Sequence, residues 1–165
     1  MLYGAYGSNL HPDRLRRRVP SAIPKGIVEL CGWSLKFHKR GQDGSAKCNI
    51  IKSATFQEKL YLAIYEMNPS GKCRLDHIEG LGQGYEEQNL FLEGFGNVFF
   101  YVANSNFIDA SLQPFTWYRD LVVRGCQYHQ FPLEYINTVQ RQPAIEDFDQ
   151  ERQDCNINLV LSLSV

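Results

Sequence analysis

Apolar positions alternate with polar ones in short runs along the first two thirds of the chain and then change to helical spacing, which divides its 165 residues into strands followed by helices. Leu2 to Tyr6 reads as a short strand ended by the turn chemistry of Gly7-Ser8-Asn9, and Pro12 then suits the first turn of a helix whose body is Asp13 to Arg18. From Ile27 to His38 the alternation predicts a strand pair or one long bent strand, with Gly32 at the bend. Arg40 to Gly44 is a loop. Lys47 to Ile51 and Lys59 to Glu66 are further strands, the second setting Leu60, Leu62 and Ile64 opposite Tyr61, Ala63 and Tyr65. Asn68 as N-cap, Pro69 at the first helical position and Gly80 as stop bracket a helix of about three turns. Gln88 to Glu93 and Val98 to Ala103 read as a hairpin joined through Gly94 to Asn97. Phe115, Tyr118, Leu121, Val122 and Cys126 recur at helical spacing, and Pro132 opens another helix with Leu133, Ile136 and Val139 on one face.

This order predicts an α+β fold, built on an antiparallel sheet or a small mixed β-barrel with flanking helices. From about Gln140 onward the chain is rich in Gln, Asp and Asn, and Ile157 to Val165 alternates like a strand. The tail is therefore expected to be a mobile extension or an added edge strand. No internal repeat is present.

Composition narrows the function classes. At roughly 150 residues per domain the length gives one domain, and 44% hydrophobic with 13% aromatic residues is globular composition. Seventeen Lys and Arg against eighteen Asp and Glu leave no global field for nucleic acid or anionic membrane. The one basic cluster, Arg14, Arg16, Arg17 and Arg18, reads as a solvated helix face, so no nucleic-acid partner is expected. Met1-Leu2-Tyr3-Gly4 carries no mark for export, and no apolar run is longer than Val98 to Ala103, far short of the roughly 20 residues that span a bilayer. A soluble, cytoplasmic protein with no membrane partner is expected. Five scattered cysteines (Cys31, Cys48, Cys73, Cys126, Cys155) fit a reducing compartment better than a disulfide framework. No CxxC occurs and His11, His38, His77 and His129 stand far apart, so no metal site is expected.

Candidate chemistry is concentrated in a few places. The loop Tyr6-Gly7-Ser8-Asn9 follows a strand and precedes a helix, and successive N–H groups there can cradle a carboxylate or an oxyanion. Glu79 ends the helix that Gly80 stops. Its four-residue spacing from Leu75 turns it toward the apolar side and Asp76 and His77 away from it. A carboxylate so placed is poorly solvated, a setting in which it can serve as a general base. The glycine-spaced loop Gly80 to Tyr85 can flex beside Glu79 with Tyr85 as a wall, and Tyr118 can offer a phenol to a polar ligand.

Together these residues resemble the γ-glutamylcyclotransferase-like family. The resemblance runs from Met1 to about Arg141 through Tyr6-Gly7-Ser8-Asn9-Leu10, Pro12-Asp13-Arg14-Leu15, Pro20-Ser21-Ala22, Leu75-Asp76-x-x-Glu79-Gly80 with Tyr85, Tyr118, Gly125-Cys126 and Pro132-x-x-Tyr135. It implies a small β-barrel with flanking helices, no cofactor, and cleavage of a small γ-glutamyl amide to 5-oxoproline and a free amine or amino acid. Glu79 is then the catalytic base. Tyr3, Gly4, Ala5, Tyr6, Gly7, Ser8, Asn9, Tyr85 and Tyr118 contact substrate, and the protein works as a monomer or homodimer. On this reading residues 1–141 form the family domain and 142–165 a C-terminal extension without an identified counterpart. Gly4 stands where the family often has a bulkier residue such as Phe, which suggests a wider pocket. The alternative is a non-catalytic module that binds a small molecule on the same fold.

Overall fold

The computed structural model describes residues 1–165. Its strands are β1 (Leu2–Ala5), β2 (Ile23–Cys31), β3 (Trp33–Arg40), β4 (Ala46–Lys52), β5 (Lys59–Glu66), β6 (Tyr85–Leu92) and β7 (Gly96–Ala103). Its helices are α1 (Pro12–Arg18), α2 (Pro69–Glu79), α3 (Thr116–Tyr128), α4 (Leu133–Gln140) and α5 (Gln150–Leu161). Five strands form one mixed sheet in the order β2-β5-β1-β7-β6, in which only the β1 and β7 pair is parallel. β3 and β4 form a separate antiparallel pair, so the strands make two sheets rather than one closed ladder. No helix is long and apolar enough to cross a membrane.

β5 sits between β2 and β1 and is apolar on both faces. Leu60, Leu62 and Ile64 are fully buried on one face, and Tyr61 meets Phe131 and Tyr135 on the other. The predicted α2 keeps its expected ends: the Asn68 side chain accepts from Gly71 N at 2.8 Å, Pro69 opens the helix, and Gly80 closes it in the left-handed conformation at φ 67°.

The stretch from Ile27 to His38 is neither a pair nor one bent strand. Gly32, at φ +75°, passes the chain from β2, which pairs with β5, to β3, which pairs with β4. Local alternation cannot reveal that change of sheet, because both strands alternate alike. The tail departs further, as a helix packed on α3 rather than a strand or a loose extension. Asp149 caps α5, and the buried carboxylate of Asp147 accepts from Trp117 Nε1 at 2.9 Å and Arg152 Nε at 2.7 Å. Val160 and Leu163 are buried three residues apart, so the alternating Ile157 to Leu163 run also satisfies helical spacing.

The end of the chain is latched to α1. The His11 ring is fully buried, with Nε2 at 2.8 Å from the Ser164 carbonyl and Nδ1 accepting from Asp13 N at 3.2 Å. The carbonyl can only accept, so Nε2 carries the proton and Nδ1 faces a donor; a second proton has no place in this geometry. Burial lowers the proton affinity of His11, and also that of His38 and His129. The unfolded chain takes up these protons near pH ~6.5, before the folded one does, so the stability they confer is present above that value and is lost as the pH falls below it. The urea midpoint is expected to drop between pH 7.5 and pH 5.5; a midpoint that holds or rises would contradict this assignment.

Candidate active site

The loop after β1 and the end of α2 meet across 70 residues of chain. Asn9 Nδ2 donates to Glu79 Oε1 at 2.8 Å and lies 3.4 Å from the Tyr3 hydroxyl. Arg18 Nη1 reaches Asn9 Oδ1 at 3.1 Å and Glu79 Oε1 at 3.4 Å, with the Glu79 side chain 17% exposed. The carboxylate is thus oriented by an amide and a guanidinium at the rim of a small cavity. That cavity, of about 20 Å³, is lined by Tyr3, Tyr6, Gly7, Ser8, Asn9, Cys48, Glu79, Tyr85, Tyr101 and Tyr118.

Long-range contacts hold the loop in place. Leu10 N closes it onto Gly7 O at 3.0 Å, and the Leu10 carbonyl accepts from both the Tyr65 hydroxyl and His129 Nε2. The Tyr6 hydroxyl donates to the Tyr101 carbonyl, while the Tyr101 hydroxyl donates to Asp76 at 2.6 Å. Asp76 is therefore part of the supporting network, not turned to open solvent. The N–H groups of Gly7, Ser8 and Asn9 donate to no protein acceptor, which leaves three backbone donors in residues that line the cavity.

The opposite wall is phenolic. Cys48 N donates to the Tyr118 hydroxyl at 3.1 Å, and the Tyr85 hydroxyl donates to the Cys48 carbonyl at 2.6 Å. Burial pushes the proton affinities of Tyr3, Tyr6, Tyr85 and Tyr118 up, and nearby negative charge at Glu79 acts in the same direction. These phenols stay neutral. Burial likewise lifts the Cys48 thiol to about 12, so it is no nucleophile near neutral pH.

Of the residues expected at the site, Tyr3, Tyr6, Gly7, Ser8, Asn9, Glu79, Tyr85 and Tyr118 come together. Gly4 and Ala5 do not line the cavity. A Cβ at Gly4 would meet Leu62 at 3.2 Å and Val98 at 3.3 Å on the other face of the sheet, so its small size makes room for core packing and not for a wider pocket. The arginine cluster is not uniformly a solvated face: Arg14 is buried and Arg18 pairs with Glu79, while Arg16 and Arg17 reach Asp13 and Ser162. Cys48, Tyr101 and Arg18 belong to the site without having been expected there. Contacts distant in sequence bring the first two, Tyr101 by the pairing of β7 with β1 and Cys48 by its backbone bonds with Tyr118 and Tyr85, and no local motif marks them; Arg18 stands one helical turn beyond Arg14, a spacing that could have separated it from its neighbours. A larger hollow of about 580 Å³ lies between α3 and α5, but there Arg119 already pairs with Asp120 and no loop of free donors faces a carboxylate.

The chain has the fold of γ-glutamyl cyclotransferases. One solved γ-glutamyl cyclotransferase structure superposes with a TM-score of 0.83 at 22% identity, covering 98% of both chains, which takes the match past Arg141 into α5. A Homo sapiens protein described as uncharacterized superposes at 0.82, again with 22% identity and 98% of both chains. YkqA from Bacillus subtilis matches at 0.68 and 16% identity, over 87% of this chain and 55% of that one. No protein-family model matches the sequence, and neither does any curated protein.

One glycine decides whether the loop can be held as it is. A Cβ at Gly125, in α3, would stand 2.2 Å from Leu10 Cβ and 3.0 Å from His11 N. Gly125→Ala would add up to about 1 kcal/mol of helix propensity at an open position. Here overpacking against backbone reverses the sign, and a net loss of about 1–3 kcal/mol is expected. Thermal unfolding reads it: a lowered melting temperature is predicted, and a raised one contradicts the close approach.

Proposed function

We propose that the protein is a γ-glutamylcyclotransferase-type enzyme, which releases 5-oxoproline and a free amine or amino acid from a γ-glutamyl amide by intramolecular cyclisation. The observation that carries this reading is the pairing of Glu79 with the free N–H groups of Gly7, Ser8 and Asn9 around one cavity. A base and a set of oxyanion or carboxylate donors are what this reaction requires of a protein. The fold shared with γ-glutamyl cyclotransferases supports the same conclusion.

The substrate carries both reacting groups, so binding it folded gains the proximity advantage, with effective molarities on the order of 10⁵ M or more. Glu79 takes a proton from the α-ammonium group. The freed amine attacks the γ-carbonyl carbon, and the charge that develops on its oxygen is met by loop N–H groups. Protonated Glu79 then hands its proton to the amide nitrogen as the C–N bond breaks, and the remaining excess proton of the ring nitrogen leaves by the same carboxylate. The products are 5-oxoproline and the released amine. The neutral phenols of Tyr3 and Tyr118 face the bound molecule as uncharged polar groups.

A cavity of about 20 Å³ has room for about one water-sized body, so a glutamyl group enters only if a wall moves. Between the two lining residues Glu79 and Tyr85, the turn Leu81 to Gln83 is exposed and held by hydrogen bonds from Gly82 N to Tyr85 O and from Gln83 N to Gly80 O, and it is the segment proposed to move. Residues 1–141 carry the proposed machinery, and 142–165 brace it through α5 and the His11 latch. The proposed setting is the cytoplasm, with small γ-glutamyl compounds as partners.

The test is 5-oxoproline release from a panel of γ-glutamyl compounds. Glu79→Gln is expected to lower kcat by about 10²- to 10⁴-fold with little change in the folded structure. Equal turnover by the variant, or none by the wild type across the panel, would falsify the proposal.

A further inference from the structure

Lys39 is a cation without a partner beside the proposed site. The two cations next to it are matched: Arg40, adjacent in β3, reaches Asp109 at 4.0 Å, and Lys47, its cross-strand partner, reaches Asp43 at 2.6 Å. Lys39 has no carboxylate within ion-pair distance and no hydrogen-bond acceptor, although it is half-buried. Its Nζ instead lies 4.8 Å from the centre of the Tyr85 ring and 5.7 Å from that of Phe107. Tyr85 is a wall of the cavity. Nζ also stands 3.0 Å from where a Cβ on Gly84 would be, so the ammonium is packed against the far end of the turn that follows Glu79.

Two aromatic faces fix the position of this charge without neutralising it, and its three N–H donors remain unused. Burial weakens its hold on the proton, and Glu79 is the charge that most strongly offsets this. At the site itself Arg18 and Glu79 pair with each other, which leaves Lys39, against the ring of the wall residue Tyr85, without an ion-pair partner. A γ-glutamyl amide of a simple amine brings one ammonium and one carboxylate and is neutral overall. A γ-glutamyl amino acid brings a second carboxylate, on the portion that leaves.

On the cyclotransferase reading, we infer that Lys39 is a specificity-determining residue that binds the carboxylate of the leaving portion, so that γ-glutamyl amides releasing an amino acid are preferred over those releasing a simple amine. The loop donors hold the glutamyl part, Glu79 works at the nitrogen, and Lys39 reads what is attached beyond it. The absence of a side chain at Gly84 lets Nζ stand against the turn, where a Cβ would lie only 3.0 Å from it.

The experiment compares kcat/KM for γ-glutamyl-alanine and γ-glutamyl-ethylamine in the full chain. The wild type is expected to prefer the first by about tenfold, the size of a charge-assisted hydrogen bond. Lys39→Met keeps the apolar stem over Tyr85 and should bring the ratio close to one, whereas Lys39→Arg keeps the charge and should retain a preference. The wild-type preference should also shrink as salt is raised. A ratio that Lys39→Met leaves as it was, or a wild type with no preference, overturns the role of Lys39. If the wild type turns over neither compound, the cyclotransferase reading itself fails.

Discussion

The Leu10 carbonyl is the point on which the site depends. It accepts from Tyr65 of β5 and from His129, just beyond α3, and so ties the end of the Tyr6–Asn9 loop to the sheet and to the helical layer at once. A loop of small residues has many conformations available, and ordering its backbone costs about 1–2 kcal/mol per residue. Contacts made far away in sequence offset that cost. Gly125 allows α3 to touch Leu10, and the Tyr6 hydroxyl bonds the Tyr101 backbone. Without these restraints Asn9 would have no reason to stand 2.8 Å from Glu79, 70 residues away.

Once the loop is fixed, the electrostatics of the cavity follow from burial. Five phenols and one thiol are surrounded so completely that their neutral forms dominate, and Glu79 is the one carboxylate lining the cavity. On the proposed reading, proton transfer is therefore assigned to Glu79. Asn9 and Arg18 both touch the same oxygen, Oε1, so Oε2 is left without a protein partner and can face a substrate nitrogen. In the proposed reaction the free N–H groups of the lining loop complement it, stabilising charge on oxygen while the carboxylate handles protons on nitrogen.

Much of this was readable in the sequence wherever a local rule sets the structure. Asn68-Pro69 and Gly80 mark both ends of α2 because capping is a matter of a few neighbouring residues, and fixing those ends puts Glu79 at its last turn. The strand–turn–helix opening is local in the same way. Where partners are distant, local rules fail. Tyr101 reaches the cavity through the parallel pairing of β7 with β1, and Cys48 through its backbone hydrogen bonds with Tyr118 and Tyr85. Gly4 resembles a pocket residue by its place in the chain, but strand alternation turns it to the opposite face. The Ile157 to Leu163 run satisfies both period two and helical spacing. The contest is settled by the Asp149 cap and by Asp147, whose bonds to Trp117 and Arg152 the sequence does not display. Arg18 is hidden among like charges and is distinguished only by what its helix face meets.

In the proposed enzyme the loop and the α2 carboxylate act as one unit through Asn9. A double-mutant cycle on kcat/KM for 5-oxoproline release, using Asn9→Ala and Glu79→Gln, measures that coupling directly. The account predicts that Asn9→Ala lowers kcat/KM by at least about tenfold when Glu79 is present and changes it little when Glu79 is already Gln. Losses that simply multiply would mean that Asn9 and Glu79 work independently, and would contradict it.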